Sequence, residues 1–236
     1  MVDTSTIPVL LLIYTIFLYA GPKYMKNRPA YSLKTFIRCY NLFQIVANAT
    51  IIHMFFDGGW LEDIFFYCVP FTYNTDYKSM KIAAAIWYTL LLKVIELIET
   101  GIFILRKKSR QISFLHVYHH VSTVLLTWNG MRYYACGITS TLPIVNCSVH
   151  VIMYGYYFLS SLGPKVQKLI NPYKSILTVI QIVQLIILIL FISHILLTGC
   201  DVPKYQAFIS DVRDVLYVNI ETAFHNSCGG VYKLNM

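Results

Sequence analysis

The sequence predicts an all-α polytopic membrane protein, and three observations carry that prediction. The chain is 57% hydrophobic and only 13% charged, with a mean hydropathy of +0.58, whereas a soluble domain carries about 25% charge. Apolar runs near the ~20 residues that cross a bilayer as a helix recur along it. Lys and Arg concentrate in alternate connections between those runs. Too few polar residues are present to clothe a soluble surface, which excludes an ordinary globule, a disordered chain and a disulfide-stapled secreted domain. The 236 residues leave room for a bundle of about six to seven transmembrane helices.

Six runs read as spans. The first, 7–21, is short for a full crossing, and the second, 35–56, carries Arg38, Asn41, Gln44, Asn48 and His53. The third covers 82–105, the fourth 112–129 and the fifth 138–159. The sixth, 176–197, contains the unbroken apolar stretch 185–192. Beyond it Asp211, Arg213, Asp214 and Glu221 interrupt any comparable run. The six Cys are scattered singly, without metal-finger spacing, and read as small apolar residues. No basic n-region precedes the first run, so no cleavable signal is expected.

The connections set a topology. Lys23, Lys26, Arg28, Lys34 and Arg38 follow the first span, Arg106, Lys107, Lys108 and Arg110 the third, and Lys165, Lys168 and Lys174 the fifth. The other connections hold Lys78, Lys81, Arg132 and Lys204. Twelve against four, in alternation, places the three basic connections in the cytosol and the N-terminus outside. That placement accounts for the net charge of +8, and no nucleic-acid partner is expected.

Ionisable residues at membrane depth are costly and mark functional sites. Lys93, Glu96 and Glu99 share a broad face of the third span. A Lys93–Glu96 pair that merely holds helices together is the bland alternative, but it leaves Glu99 without an evident partner. His116, His119 and His120 form one face of the fourth span, which ordinary core packing explains poorly. The fifth span adds Asn146, His150, Tyr154, Tyr156 and Tyr157, and the sixth adds Thr178, Gln181 and Gln184. The tyrosines also suit an interfacial belt, and the glutamines suit helix–helix hydrogen bonding. At ~1.5 Å per residue, His119, Glu96, Glu99, His150, Gln181 and Gln184 all lie roughly 8 to 14 Å from the cytosolic end of their spans. The expectation is one buried polar layer open to the cytosol.

These residues resemble a known family. Phe114-Leu-His116-Val-Tyr-His119-His120 resembles the HxxHH box of the ELO family of very-long-chain fatty acid elongases. Lys93-Val-Ile-Glu96-Leu-Ile-Glu99-Thr100 is similar to its KxxExxDT motif, with Glu99 in place of Asp. The stretches beginning at Asn146 and Thr178 are similar to NxxxHxxMYxYY and TxxQxxQ, in the family's order, and the likeness covers 8–207. It implies a transmembrane elongase domain over 1–207, whose helices enclose a substrate tunnel. It also implies a divergent tail at 208–236, in place of the family's seventh span and Lys-rich terminus.

The resemblance further implies a 3-oxoacyl-CoA synthase of the endoplasmic reticulum membrane. Such an enzyme condenses acyl-CoA with malonyl-CoA and needs no metal or other cofactor. His119 is the expected nucleophile, with His150 assisting malonyl decarboxylation and His116 and His120 orienting. Lys93, Glu96, Glu99, Thr100, Asn146, Tyr154, Tyr157, Gln181 and Gln184 form the supporting polar site. Lys107, Lys108, Lys165 and Lys168 suit the CoA phosphates as well as they suit topology signals. Partners would be membrane lipids and the reductases and dehydratase of the elongation cycle, and a homodimer is left open.

Three rivals stand beside this reading. A two-metal histidine-box enzyme would need more His than the seven in the chain, of which four fall in the polar layer, so only a single-metal variant stays open. A receptor or transporter would not need so many residues of catalytic type. A catalytically impaired elongase is the third. The charge pattern makes a prediction of its own: cysteine labelling from the cytosolic side should reach substituted positions in 107–109 and 165–168, but not at Glu62 or Asp76. The opposite pattern would overturn the orientation.

Overall fold

The computed structural model describes residues 5–60, 76–133, 140–198, 213–215 and 217–219. Its helices, in order, are α1 (Thr6–Met25), α2 (Lys34–Asp57), α3 (Tyr77–Glu96), α4 (Ile98–Leu105), α5 (Phe114–Tyr133), α6 (Thr141–Ser161), α7 (Pro164–Ile170) and α8 (Lys174–Thr198). No strand occurs among the described residues. The protein is an all-α polytopic membrane protein. By length and apolarity alone four helical stretches among the described residues qualify as spans: Thr6–Met25, Lys34–Asp57, Thr141–Ser161 and Pro164–Phe191. α3 and α5 are 20 residues each, but Lys93, Glu96 and three histidines lower their hydropathy.

The expected spans map onto this order with two differences. The first run lengthens to 20 residues, with Pro22 inside the helix. The third, expected as one helix over 82–105, is two. At Leu97 the backbone tightens: the Leu97 amide donates to the Val94 carbonyl and the Thr100 amide to the Leu97 carbonyl, each at 3.2 Å. These are i→i−3 bonds in place of i→i−4. The turn falls between Glu96, whose carboxylate meets His150 of α6, and Glu99, whose carboxylate meets Tyr154 of α6, Tyr40 of α2 and His120 of α5. Of the expected tail 208–236, only 213–215 and 217–219 lie within the described residues.

α2 packs most extensively on α6 and then on α3, α3 packs on α5, and α6 on α8. The core between α2, α3 and α6 gathers Ile51, Phe55, Ala85, Ile86, Leu92, Ile144 and Cys147. α1 lies outside against α4, burying Ile7, Tyr14, Gly21 and Met25, while Leu12, Ile13 and Ile16 face outward. Such a face suits lipid, which is as apolar as they are. Arg38 locks α2 to the end of α6. Its Nε and Nη2 donate to the Ser161 carbonyl at 3.1 and 3.0 Å, and Nη2 also reaches the Leu162 carbonyl at 3.4 Å, satisfying groups that a helix end leaves open.

At the opposite end Asp57 accepts from Tyr77 at 2.8 Å and pairs with Lys81 at 3.0 Å. Asp76 caps α3 by accepting from the Ser79 amide at 3.2 Å. Hydrogen bonds from Ser79 hold its carboxyl below the usual carboxylate range. Gly58 sits where α2 meets the start of α3, and a Cβ there would lie 2.7 Å from Ile82 Cγ1 and 3.3 Å from the Met54 carbonyl. Gly58→Ala should therefore destabilise the fold by about 1–3 kcal/mol through overpacking, read as a lower melting temperature in detergent. Ile82→Ala should remove the effect, so the double variant melts no lower than Ile82→Ala alone. An unchanged melting temperature in Gly58→Ala would refute the close contact.

Candidate functional site

The polar residues of α3, α4, α5 and α6 converge at the end of the bundle that carries the basic connections. Lys93 donates to both carboxylate oxygens of Glu96, at 3.0 and 2.9 Å, and the two side chains are 3% and 1% exposed. Glu96 Oε1 also lies 3.0 Å from His150 Nδ1. An ionised carboxylate only accepts, so His150 donates from Nδ1. Its Nε2 is left with a lone pair, which accepts from Asn146 Nδ2 at 3.4 Å. Glu96 thereby both neutralises Lys93 and fixes the His150 tautomer.

Glu99, which the sequence left without a partner, has three. Tyr154 donates a short hydrogen bond to Oε1, Tyr40 donates to the same oxygen at 3.4 Å, and His120 Nε2 lies 3.5 Å from Oε2. Tyr40 in turn accepts from Gln44 at 2.8 Å, and Asn48 donates to the Gln44 carbonyl at 2.8 Å. Thr100 Oγ1 meets His116 Nε2 at 2.9 Å and the Tyr14 hydroxyl at 2.7 Å. The His116 and His120 ring centroids are 4.4 Å apart, and those of His119 and His120 5.9 Å.

Two adjoining cavities open beside these groups and share His119, Asn146, Gln184, Leu185 and Asn219. One runs along apolar walls that include Ile86, Leu126, Met131, Leu142 and Leu188. The other holds Ser113, His116, His150, Thr178 and Gln181. His119 stands where they meet, and its imidazole has no hydrogen-bond partner among the described residues. Val215 belongs to the first wall and Asn219 to both, so the described part of 208–236 lines the same space.

The structure thus brings together His116, His119, His120, His150, Lys93, Glu96, Glu99, Thr100, Asn146, Tyr154, Gln181 and Gln184. Gln181 Nε2 additionally donates to Met153 Sδ at 3.3 Å. Tyr157 stands apart. It is 41% exposed and meets Tyr154 and Tyr156 by ring contacts. Cys147, three residues before His150, turns into the apolar core with Ile51 and Phe55 rather than to the cavities.

Sequence reasoning missed Tyr14, Tyr40 and Gln44 as members of the site. The signal for α2 was available, since Tyr40, Gln44 and Asn48 recur at i, i+4 and i+8 on one face. Glu99, His116 and His120 place one metal-ligating atom each within 4.8 Å of one another. Breaking the buried pair should be severe. Glu96→Ala strands a buried ammonium and should cost about 3–5 kcal/mol, measured by thermal unfolding in detergent. Adding Lys93→Met should recover most of that loss, and an unchanged stability in Glu96→Ala would show that the pair is not buried.

The ELO family model, described as the GNS1/SUR4 family, matches residues 1–226. "Very long chain fatty acid elongase 4" of Mus musculus is 36% identical over 82% of the chain, and "Very long chain fatty acid elongase 1" of the same species is 38% identical over 78%. "Very long chain fatty acid elongase 7" of Drosophila melanogaster is 30% identical over 93%. The alignment spans 62% of the first of these relatives, 66% of the second and 67% of the third.

Proposed function

The chain belongs to the ELO family, and from that premise we propose that it condenses a long-chain acyl-CoA with malonyl-CoA. The products would be 3-oxoacyl-CoA, CO2 and CoA, as in the first step of very-long-chain fatty acid elongation. The single observation that carries this reading is His119, an imidazole without a hydrogen-bond partner among the described residues, at the junction of an apolar cavity and a polar one. A neutral imidazole is a competent nucleophile near pH 7. Its nitrogen attacks the acyl thioester, CoA thiolate leaves, and the second ring nitrogen gives up its proton to that thiolate. Malonyl-CoA then loses CO2, its carbanion attacks the acyl-imidazole, and His119 departs and takes one proton from solvent.

The acyl chain lies along the apolar walls. Asn146, Gln181 and Gln184 stand beside the polar cavity, where hydrogen bonds to carbonyls gaining charge lower the barrier. His150, held by Glu96, faces the malonyl group. In this reading the basic connections lie in the cytosol of an endoplasmic reticulum membrane, where Lys107, Lys108, Lys165 and Lys168 attract CoA phosphates. The reductases and dehydratase of the elongation cycle would take the product onward.

The Glu99–His116–His120 triad favours one other reading, a metal-dependent lipid enzyme, and stoichiometric metal in purified, active protein would establish it. The condensation reading predicts that microsomes containing the chain incorporate labelled malonyl-CoA when fed long-chain acyl-CoAs. His119→Ala should lower that rate by about 10³-fold or more while acyl-CoA still binds. His120→Ala should slow the reaction yet leave an acyl group on the peptide 112–128 when malonyl-CoA is withheld, detected by mass spectrometry. Cys147→Ala should retain most activity. An acyl-thioester trapped on Cys147, or CoA release that strictly requires malonyl-CoA with no acylated peptide, would overturn the nucleophile assignment.

A further inference from the structure

α1 carries none of the polar constellations described above, yet it reaches the site through one side chain. Tyr14 is buried on its inner face, seven residues from both Ile7 and Gly21. Its hydroxyl lies 2.7 Å from Thr100 Oγ1, which lies 2.9 Å from His116 Nε2. The approach is built on both sides of that contact. A Cβ on Gly21 would meet Ile104 at 3.1 Å, and one on Gly101 would meet the Phe17 ring at 3.6 Å. Both contacts lie beyond Tyr14 toward the C-terminal end of α1, so α1 is held close to α4 from Tyr14 to Gly21.

The chain of hydroxyls has a direction. Thr100 has one proton to give. If His116 donated from Nε2, three protons would share two contacts, and one hydroxyl proton, of Thr100 or of Tyr14, would be buried with no acceptor among the described residues, the unfavourable arrangement. The phenol is also the stronger acid of the two hydroxyls, so it donates. Tyr14 then gives to Thr100, Thr100 gives to His116 Nε2, and the ring proton of neutral His116 resides on Nδ1, the nitrogen left for the cavity that His116 lines.

We propose that Tyr14 is a positioning residue that acts through Thr100 to hold His116 as an N–H donor toward the acyl carbonyl oxygen at His119, and not as a base. The tautomer follows from the hydrogen bonds alone, while its use rests on the condensation reading. A donor to an oxygen that gains charge acts mainly in the transition state, so its loss lowers kcat more than it raises KM.

The test uses the full chain in lipid nanodiscs. Tyr14→Phe and Thr100→Val should each lower kcat by at least about tenfold, with KM for acyl-CoA within about twofold. The double variant should be no slower than Thr100→Val, because both changes break one chain. Thr100→Ser should restore the rate. Nitrogen-15 spectra of histidine-labelled protein, assigned by His116→Gln, should place the His116 proton on Nδ1 in the wild type and move it in Tyr14→Phe. A wild-type kcat in Tyr14→Phe, additive losses in the double variant, or a wild-type proton on Nε2 would overturn the proposal. A wild type that condenses no acyl-CoA would instead refute the condensation reading, and the spectra would still decide the tautomer.

Discussion

The contact between Lys93, Glu96 and His150 constrains everything around it. Moving a carboxylate or an ammonium out of water costs several kcal/mol per ion even after relaxation, and no water of the bilayer core compensates. The two charges persist because they are adjacent, doubly hydrogen-bonded and enclosed. His150 takes the position beside Oε1, which ties α6 to α3 at a fixed height. α2 then fills the groove between them with Ile51 and Phe55. The ionic contact sets the register, and apolar packing supplies the bulk of the cohesion.

Glu99 extends the same logic outward. A second carboxylate so close to Glu96 raises the electrostatic demand on the site. It is met by neutral donors, the phenols of Tyr154 and Tyr40, and by the edge of His120. The tight turn at Leu97 separates the two acids in direction as well as in position, so each recruits its own neighbours. Gln44 and Asn48 continue the hydrogen-bonded ladder down α2, which explains a span that carries so many amides.

Most of this architecture was legible because lipid enforces simple rules. Five of the six apolar runs became single long helices with ends displaced by a few residues, the third divided at Leu97, and the polar residues of four spans came together. The turn at Leu97 was not legible, since Val94, Ile95, Leu97 and Ile98 are apolar on both sides of it and the hydrophobic pattern is unbroken. Tyr154 and His120 were expected in the site but not as partners of Glu99, because a motif does not say which side chains of different helices meet. Tyr14 was invisible because one tyrosine in a lipid-facing helix reads as a belt residue until its hydroxyl is seen to point inward. Tyr157, counted into the site by motif, sits at its edge, partly exposed and against the Tyr154 ring.

The grip of Arg38 on the end of α6 bears on how the protein is made. Arg38 and its acceptor Ser161 are 123 positions apart. At ribosomal speeds of about 5–20 residues per second, some 6 to 25 seconds separate their synthesis. Glu96 waits similarly for His150, 54 positions later. During that interval Arg38 depends on water at the membrane surface, Glu96 has Lys93 but not yet His150, and the amides of α2 lack the helix that will cover them. The nascent chain must therefore linger beside the insertion machinery, or borrow a temporary polar neighbour, until its sixth helix emerges and closes the structure.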